Sequence, residues 1–182
     1  MKKAILIVLG LSVLASMAAA AEFRVGLKAS FFSSENSTFR DVYGSAFKIG
    51  LEGGLPIAES FSVWAGLDYV HKTGALTLTQ EETKVTLIPL SAGVRYEIPS
   101  GDKLRFHVGV GIQEVFFTED SVLGTTHESA LGFIAKAGGV YRLTDAVGAG
   151  VFVAWSTCKM THESVDFKVG GIDFGGTVEI RF

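Results

Sequence analysis

The chain has 182 residues, with 16 Lys and Arg against 19 Asp and Glu. That is enough for one compact domain but short for two, and so weakly acidic a chain has no basic footprint for nucleic acid. A single cysteine, Cys158, excludes an internal disulfide, while 22 Gly against 3 Pro suits many strands and tight turns rather than linkers.

The chain opens with Lys2 and Lys3, an apolar stretch from Ala4 to Leu14, and the small-residue run Ala18-Ala19-Ala20-Ala21. This is the pattern of a secretory signal peptide over residues 1–21, helical and removed on export. Its apolar core of about ten to twelve residues is short of the roughly twenty that cross a bilayer. No Cys follows the apolar run and no Arg pair precedes it, so the expectation is general secretion without a lipid anchor. Removing Lys2 and Lys3 changes the balance from 16 against 19 to 14 against 19, a net charge of −5 for the mature chain.

From Glu22 onward period-two segments recur at Phe23–Phe31, Phe47–Leu55, Phe61–Tyr69, Thr86–Ile98, Leu104–Phe116, Leu131–Leu143, Val147–Trp155 and Ile172–Phe182. Alternation of this kind marks strands with one apolar and one polar face. The connections alternate in length: Pro56–Ser60, Pro99–Lys103 and Thr144–Ala146 are short, whereas Ser33–Ala46, His71–Val85, Phe117–Ala130 and Ser156–Gly171 are long and polar. An up-and-down sheet of eight strands removes both its edges only by pairing the first strand with the last. The expected fold is therefore all-β: a closed eight-stranded antiparallel up-and-down barrel over residues 22–182.

The two faces then decide what surrounds the barrel. One face holds Phe23, Val25, Leu27, Ala29 and Phe31, then Phe47, Ile49, Leu51 and Leu55, then Phe61, Val63, Ala65, Leu67 and Tyr69. The other holds Arg24, Lys28, Lys48, Arg95, Arg105, Lys136, Arg142 and Arg181 against Glu52, Asp68, Glu97, Asp173 and Glu179, interleaved with glycines. A soluble barrel would turn its apolar face inward and a membrane barrel outward. The aromatics select the second. Phe23, Phe61, Tyr96, Phe106, Tyr141 and Phe182 fall near the short turns, and Phe31, Phe47, Tyr69, Phe116, Phe133, Trp155 and Phe174 near the long connections. The two belts stand about eight residues apart, roughly 20 Å along a tilted strand, close to the ~25 Å apolar band of outer-membrane barrels.

With the terminal Phe182 and the stretches Ile88-Pro89-Leu90-Ser91-Ala92-Gly93-Val94-Arg95-Tyr96 and Gly138-Gly139-Val140-Tyr141-Arg142-Leu143-Thr144-Asp145, the chain resembles the small eight-stranded bacterial outer-membrane barrels. These are the group of OmpX, Ail, OmpW and the transmembrane domain of OmpA. The resemblance covers essentially Glu22–Phe182 and implies a monomer in the bacterial outer membrane. Its termini and short turns would lie in the periplasm and its long loops outside. Implied partners are outer-membrane lipid, lipopolysaccharide, the barrel-assembly machinery during insertion, and an extracellular ligand at the loops.

For chemistry, the inner charges are expected to pair and fill the lumen, since eight strands enclose a space that side chains just fill. The alternative is a narrow polar channel of the OmpW kind. The tetrapeptide Thr-His-Glu-Ser occurs at Thr126–Ser129 and again at Thr161–Ser164. It raises a second alternative, a lipid A-modifying enzyme in which His127 or His162 activates a hydroxyl. Both copies fall in expected loops, so no catalytic, cofactor or metal residue is assigned, and His107 is expected to be a hydrogen-bonded lumen histidine. Leu76–Thr79 and Lys84–Leu87 continue the strand pattern past the belt, which suggests a protruding third–fourth strand hairpin whose edge could pair with a partner strand. Cys158 is placed in the last loop, free or bridging two copies. The expected function is a non-enzymatic structural or surface-interaction protein.

Overall fold

The structure, a computed structural model, describes residues 23–75, 81–122, 124–162 and 165–182. The leader over residues 1–21 and the segment Leu76–Thr79 lie outside the described residues. Among the described residues nine strands run in chain order: β1 (Arg24–Ser34), β2 (Ala46–Ala58), β3 (Phe61–Ala75), β4 (Glu82–Ser100), β5 (Leu104–Ser121), β6 (Gly124–Arg142), β7 (Val147–His162), β8 (Val165–Lys168) and β9 (Gly171–Arg181). One short helix, α1 (Ser37–Tyr43), joins β1 to β2.

Eight of the strands close a barrel, because β1 pairs with β9, β9 with β7 and β7 with β6, all antiparallel. The extra strand, β8, forms only a hairpin with the end of β7. One cross-strand rung can be followed right round: Arg24, Gly54, Trp64, Gly93, Gly111, Ile134, Ser156, Gly171 and back to β1 at Ser34. It returns 34 − 24 = 10 residues nearer the long-connection end. The strands are therefore tilted and staggered, as closure requires.

Within the band between the aromatic belts the barrel is inside out. Phe31, Phe47, Phe174 and Phe182 are 67%, 55%, 63% and 74% exposed, and Leu27, Leu51, Leu67, Val110 and Val151 also face outward. A continuous apolar surface of this extent is a lipid surface, not a water surface. The belts are locally tight: Phe31 and Phe47 meet edge-on at 5.9 Å between ring centroids, and Phe61 and Tyr96 at 5.2 Å. Leu55 departs from the expected outward face and is buried, beside the register irregularity at Pro56–Ala58.

At the short-turn end the strands stop close to where alternation predicts. At the other end they do not. The stretch Phe117–Ala130, expected to be a loop, is mostly strand, with β5 and β6 paired out to Ser121 and Gly124. Most of Ser156–Gly171 is likewise the β7–β8 hairpin, and β3 and β4 pair to Ala75 and Glu82. Above the belt the polarity reverses. The inner positions become Val70, Val85, Leu87, Val115, Phe117, Cys158 and Met160, all buried, and the outer positions become His71, Thr86, Thr118, Asp120, Thr125 and His127. A strand passing from lipid into water must exchange its faces in this way.

Candidate functional site

The barrel interior is filled in two storeys, and each is built differently. In the lower storey, inside the lipid band, the five inner carboxylates expected from the sequence all meet cations. Arg24 Nη1 donates to both Glu97 oxygens at 2.7 Å, and Ser62 donates to the same carboxylate at 2.8 Å. Arg105 Nη2 donates to Glu179 at 2.7 and 2.8 Å. Glu52 receives Lys136 at 2.6 Å and Arg95 at 3.1 Å, with Lys28 at 3.6 Å. Lys28 also reaches Asp68 at 2.9 Å, and Lys48 reaches Asp173 at 2.5 Å. Arg142 and Arg181, expected in the same set, line the short-turn mouth instead.

Glycine makes the room for these long side chains. A Cβ on Gly54 would stand 2.5 Å from Arg95 Nη2, and one on Gly111 would stand 3.0 Å from the Trp64 ring and 2.3 Å from the Ala92 carbonyl oxygen. Trp64, which alternation placed on the polar face without assigning it a role, is the shared floor of the network. Lys136 Nζ lies 3.3 Å from its ring centroid, so the ammonium is held by a carboxylate on one side and an indole face on the other. What remains open is a cavity of about 40 Å³ lined by Lys28, Asp68, His107 and Asp173 among others, room for about two or three waters. His107 Nδ1 and Asp173 Oδ1 have no hydrogen-bond partner there among the described protein atoms, and waters of this kind suit them. His107 is buried in the lumen, as expected, but the hydrogen bond expected of it is not made at Nδ1 among the described protein atoms.

The upper storey is apolar and capped. Phe32, Tyr43, Ala46, Val70, Val85, Leu87, Val115, Phe117, Cys158, Met160 and Val169 form one cluster, with Phe39 and Val42 of α1 packed on it. The helix is short but well terminated: the Asn36 side chain caps Phe39 N–H at 3.2 Å, and Gly44, at φ 65°, ends it. Tyr43 is its buried anchor. The phenol hydrogen-bonds to Thr83 at 3.0 Å and to Glu119, and burial together with the Glu119 bond pushes its pKa up from 10.0. Between the storeys only about 10 Å³ stays open, among Phe32, Lys48, Val70, Leu87 and Val115, at the lower limit for a single water molecule. By contrast a vestibule of about 330 Å³ opens at the short-turn end.

The remaining sequence candidates fall as follows. Thr126–Ser129 lies on β6 rather than in a loop, with His127 exposed and its Nδ1 3.1 Å from the Thr118 hydroxyl. In the second copy Thr161 and His162 end β7, while Glu163 and Ser164 lie outside the described residues. The two copies sit on different hairpins, and His127 is oriented by a hydroxyl rather than a carboxylate. Cys158 is not in a loop but in β7, buried in the upper storey, its thiol donating to the Ala130 carbonyl at 3.2 Å. The protruding third–fourth strand hairpin is present. Its inner face is covered by α1, since a Cβ on Gly74 would come 2.3 Å from the Val42 carbonyl oxygen. No group of three or more metal-ligating side chains occurs among the described residues.

Comparison with known proteins agrees with this architecture. Residues 5–180 match the model of the outer membrane protein beta-barrel domain. No curated protein matches the chain by sequence. Among solved structures it is similar to Neisserial surface protein A, at 16% identity and TM-score 0.67 over 88% of this chain and 97% of that one. It is similar to OprG of Pseudomonas aeruginosa at 12% identity and TM-score 0.69, covering 90% and 96%. Ail, the attachment invasion locus protein of Yersinia pestis, solved with the heparin analogue sucrose octasulfate, follows at 11% identity and TM-score 0.55, covering 89% and 97%. At these identities the likeness is one of fold.

Proposed function

The chain belongs to the outer membrane protein beta-barrel domain family, and on that premise we propose that it is a non-conducting, non-enzymatic surface protein acting through its extracellular sheet and loops. The observation that carries the reading is the apolar upper storey. It blocks the lumen with packed side chains and at the same time stiffens a wall of strands that stands beyond the lipid band. A rigid exposed wall is suited to contact and adds nothing to transport. The likeness in fold to Ail, an attachment invasion locus protein, supports a role in interaction through extracellular structure.

The signal-peptide pattern of residues 1–21 supports export to the periplasm, followed by insertion with the barrel-assembly machinery as partner. Against a lipid-modifying enzyme stands the placement of the two Thr-His-Glu-Ser copies on separate hairpins. Against a channel stand the filled storeys.

A trimmed barrel tests the contact role. Joining Phe117 to Glu128, which are cross-strand partners, through an Asn-Gly turn removes the β5–β6 projection and leaves the membrane ladder intact. Cells displaying the full chain should attach to cultured epithelial cells several-fold better than cells lacking it. Cells displaying the trimmed chain should lose that gain while the protein keeps its heat-shifted gel migration. Equal attachment by both would contradict the contact role.

A further inference from the structure

One charged side chain stands on the lipid face of the barrel. Glu114 pairs across the ladder with Leu90 on β4 and Leu131 on β6, both exposed, and its neighbours on the same face of β5 are exposed Ile112 and Phe116. Among the described residues no other Asp, Glu, Lys or Arg points outward between the aromatic belts. Nor does Glu114 make a hydrogen bond or ion pair with another described residue. A lone acid facing lipid is costly, and residues of this kind mark contacts with a partner. Glu114 lies two residues below Phe116, about 5 Å beneath the upper belt on its strand at ~3.3 Å per residue and a tilt near 40°.

The chain carries a matching cation on the same side of the barrel. The β6–β7 ladder ends at Gly132 and Cys158, so Leu131 and Lys159 are the next positions on their strands. Cys158 points inward and Lys159 is exposed on the outer face. Glu114 and Lys159 therefore flank Leu131 on opposite sides, about 10 Å apart at ~4.8 Å per strand.

This spacing suits a twofold axis along the membrane normal. Across such an axis one face meets its own copy with left and right exchanged. An axis beside Leu131 sets β5 of each copy against β7 of the other, and Glu114 against the other copy's Lys159. Because rungs climb from β1 toward β7, Lys159 stands about 6 Å higher than Glu114, a drop that a lysine stem laid along apolar surface can span. Below Glu114 the same face is apolar, with a shallow hollow of about 550 Å³ lined by Val94, Val108, Val110 and Ala135 among others. Lipid covers such a face as well as protein does, so the two charges are what favour the second copy.

We propose that the lipid face around β5 and β6 docks a second copy of this chain, closed by two reciprocal Glu114–Lys159 ion pairs. This rests on the reading that the barrel spans the membrane, and it departs from the monomer that the resemblance implies.

The test uses the full barrel in phosphatidylcholine bilayers, with Cys158→Ala removing the native thiol. Ile112→Cys lies on the proposed contact face beneath Leu131, and Leu27→Cys lies on β1, at the opposite side of the barrel. Under copper–phenanthroline oxidation Ile112→Cys should give about fivefold more disulfide-linked dimer than Leu27→Cys. Adding Glu114→Lys or Lys159→Glu alone should lower the yield to the Leu27→Cys level. The two together should restore it, because the exchanged charges meet again across the axis. Heat-shifted gel migration verifies that each variant is folded.

Chains with no substitution, carrying donor or acceptor dyes at the mature amino terminus, give a readout independent of the cysteine variants. They should show energy transfer at a protein-to-lipid ratio where the single-charge variants show none. Equal cross-linking at Ile112→Cys and Leu27→Cys, or no energy transfer between unsubstituted chains, would overturn the docking surface. A dimer that survives either single charge change would overturn the ion pairs. Failure of the unsubstituted chain to insert at all would instead contradict the membrane barrel, a distinguishable result.

Discussion

Glu52 is the residue on which the lower storey turns, since Lys136, Arg95 and Lys28 all converge on it. Removing one partner of a buried ion cluster leaves the others desolvated and uncompensated, a loss of about 3–5 kcal/mol. Glu52→Gln should lower the urea midpoint of the bilayer-embedded barrel accordingly, while Glu59→Gln, exposed beside the first short turn, should leave it unchanged. The glycines make a graded test of the same packing. Gly54→Ala meets only the end of the flexible Arg95 side chain, whereas Gly93→Ala would put its Cβ 2.1 Å from the Val110 carbonyl oxygen of the adjoining strand. The first should fold with a small loss, and the second should reduce the yield of heat-shifted barrel sharply.

At the scale of elements, α1 and the upper strands form a unit that stands in water and obeys ordinary core rules. Leu87→Ala should cost about 2–5 kcal/mol through the cavity it leaves. It should speed amide exchange in β3–β6 beyond the belt while leaving the ladder between the belts protected. Tyr43 ties α1 to β4 and β5 through Thr83 and Glu119. Its raised pKa favours the neutral phenol in the folded state. Its contribution is therefore present below about pH 10 and is lost as pH rises from there toward the folded value. The stability difference between wild type and Tyr43→Phe should be about 1 kcal/mol at pH 8 and should shrink between pH 10 and 12.

These elements also show where the sequence was readable. The short-turn ends of the strands were legible because lipid enforces apolar-out alternation as far as Phe61, Tyr96, Phe106 and Tyr141. The long-connection ends were not. Past Tyr69, Phe116 and Phe133 the strands continue with their faces exchanged, so that Val70, Val85 and Phe117 point inward beneath polar Thr86 and Thr118. A pattern that reverses midway reads as the end of a strand. The charged set was legible from parity alone, but its pairing was not, because Glu52 and Lys136 are 84 residues apart and meet only through closure.

For the molecule as a whole, the two storeys make opposite use of the same eight strands. Between the belts, ion pairs inside are matched to lipid outside; above them, apolar side chains inside are matched to water outside. Each storey narrows the lumen, with cavities of about 40 Å³ below and 10 Å³ at the junction, and on the proposed reading the two together close it. On the proposed reading the exterior, in the aromatic belts and in the hairpins beyond, is where the protein meets its partners. The most direct measurement is single-channel conductance of Glu22–Phe182 in planar bilayers, with heat-shifted migration used to verify that the barrel is folded. Silence across the voltage range is expected. Steady, reproducible conductance from verified barrel would contradict a sealed lumen and return the inner Arg and Lys side chains to a role in selecting solutes.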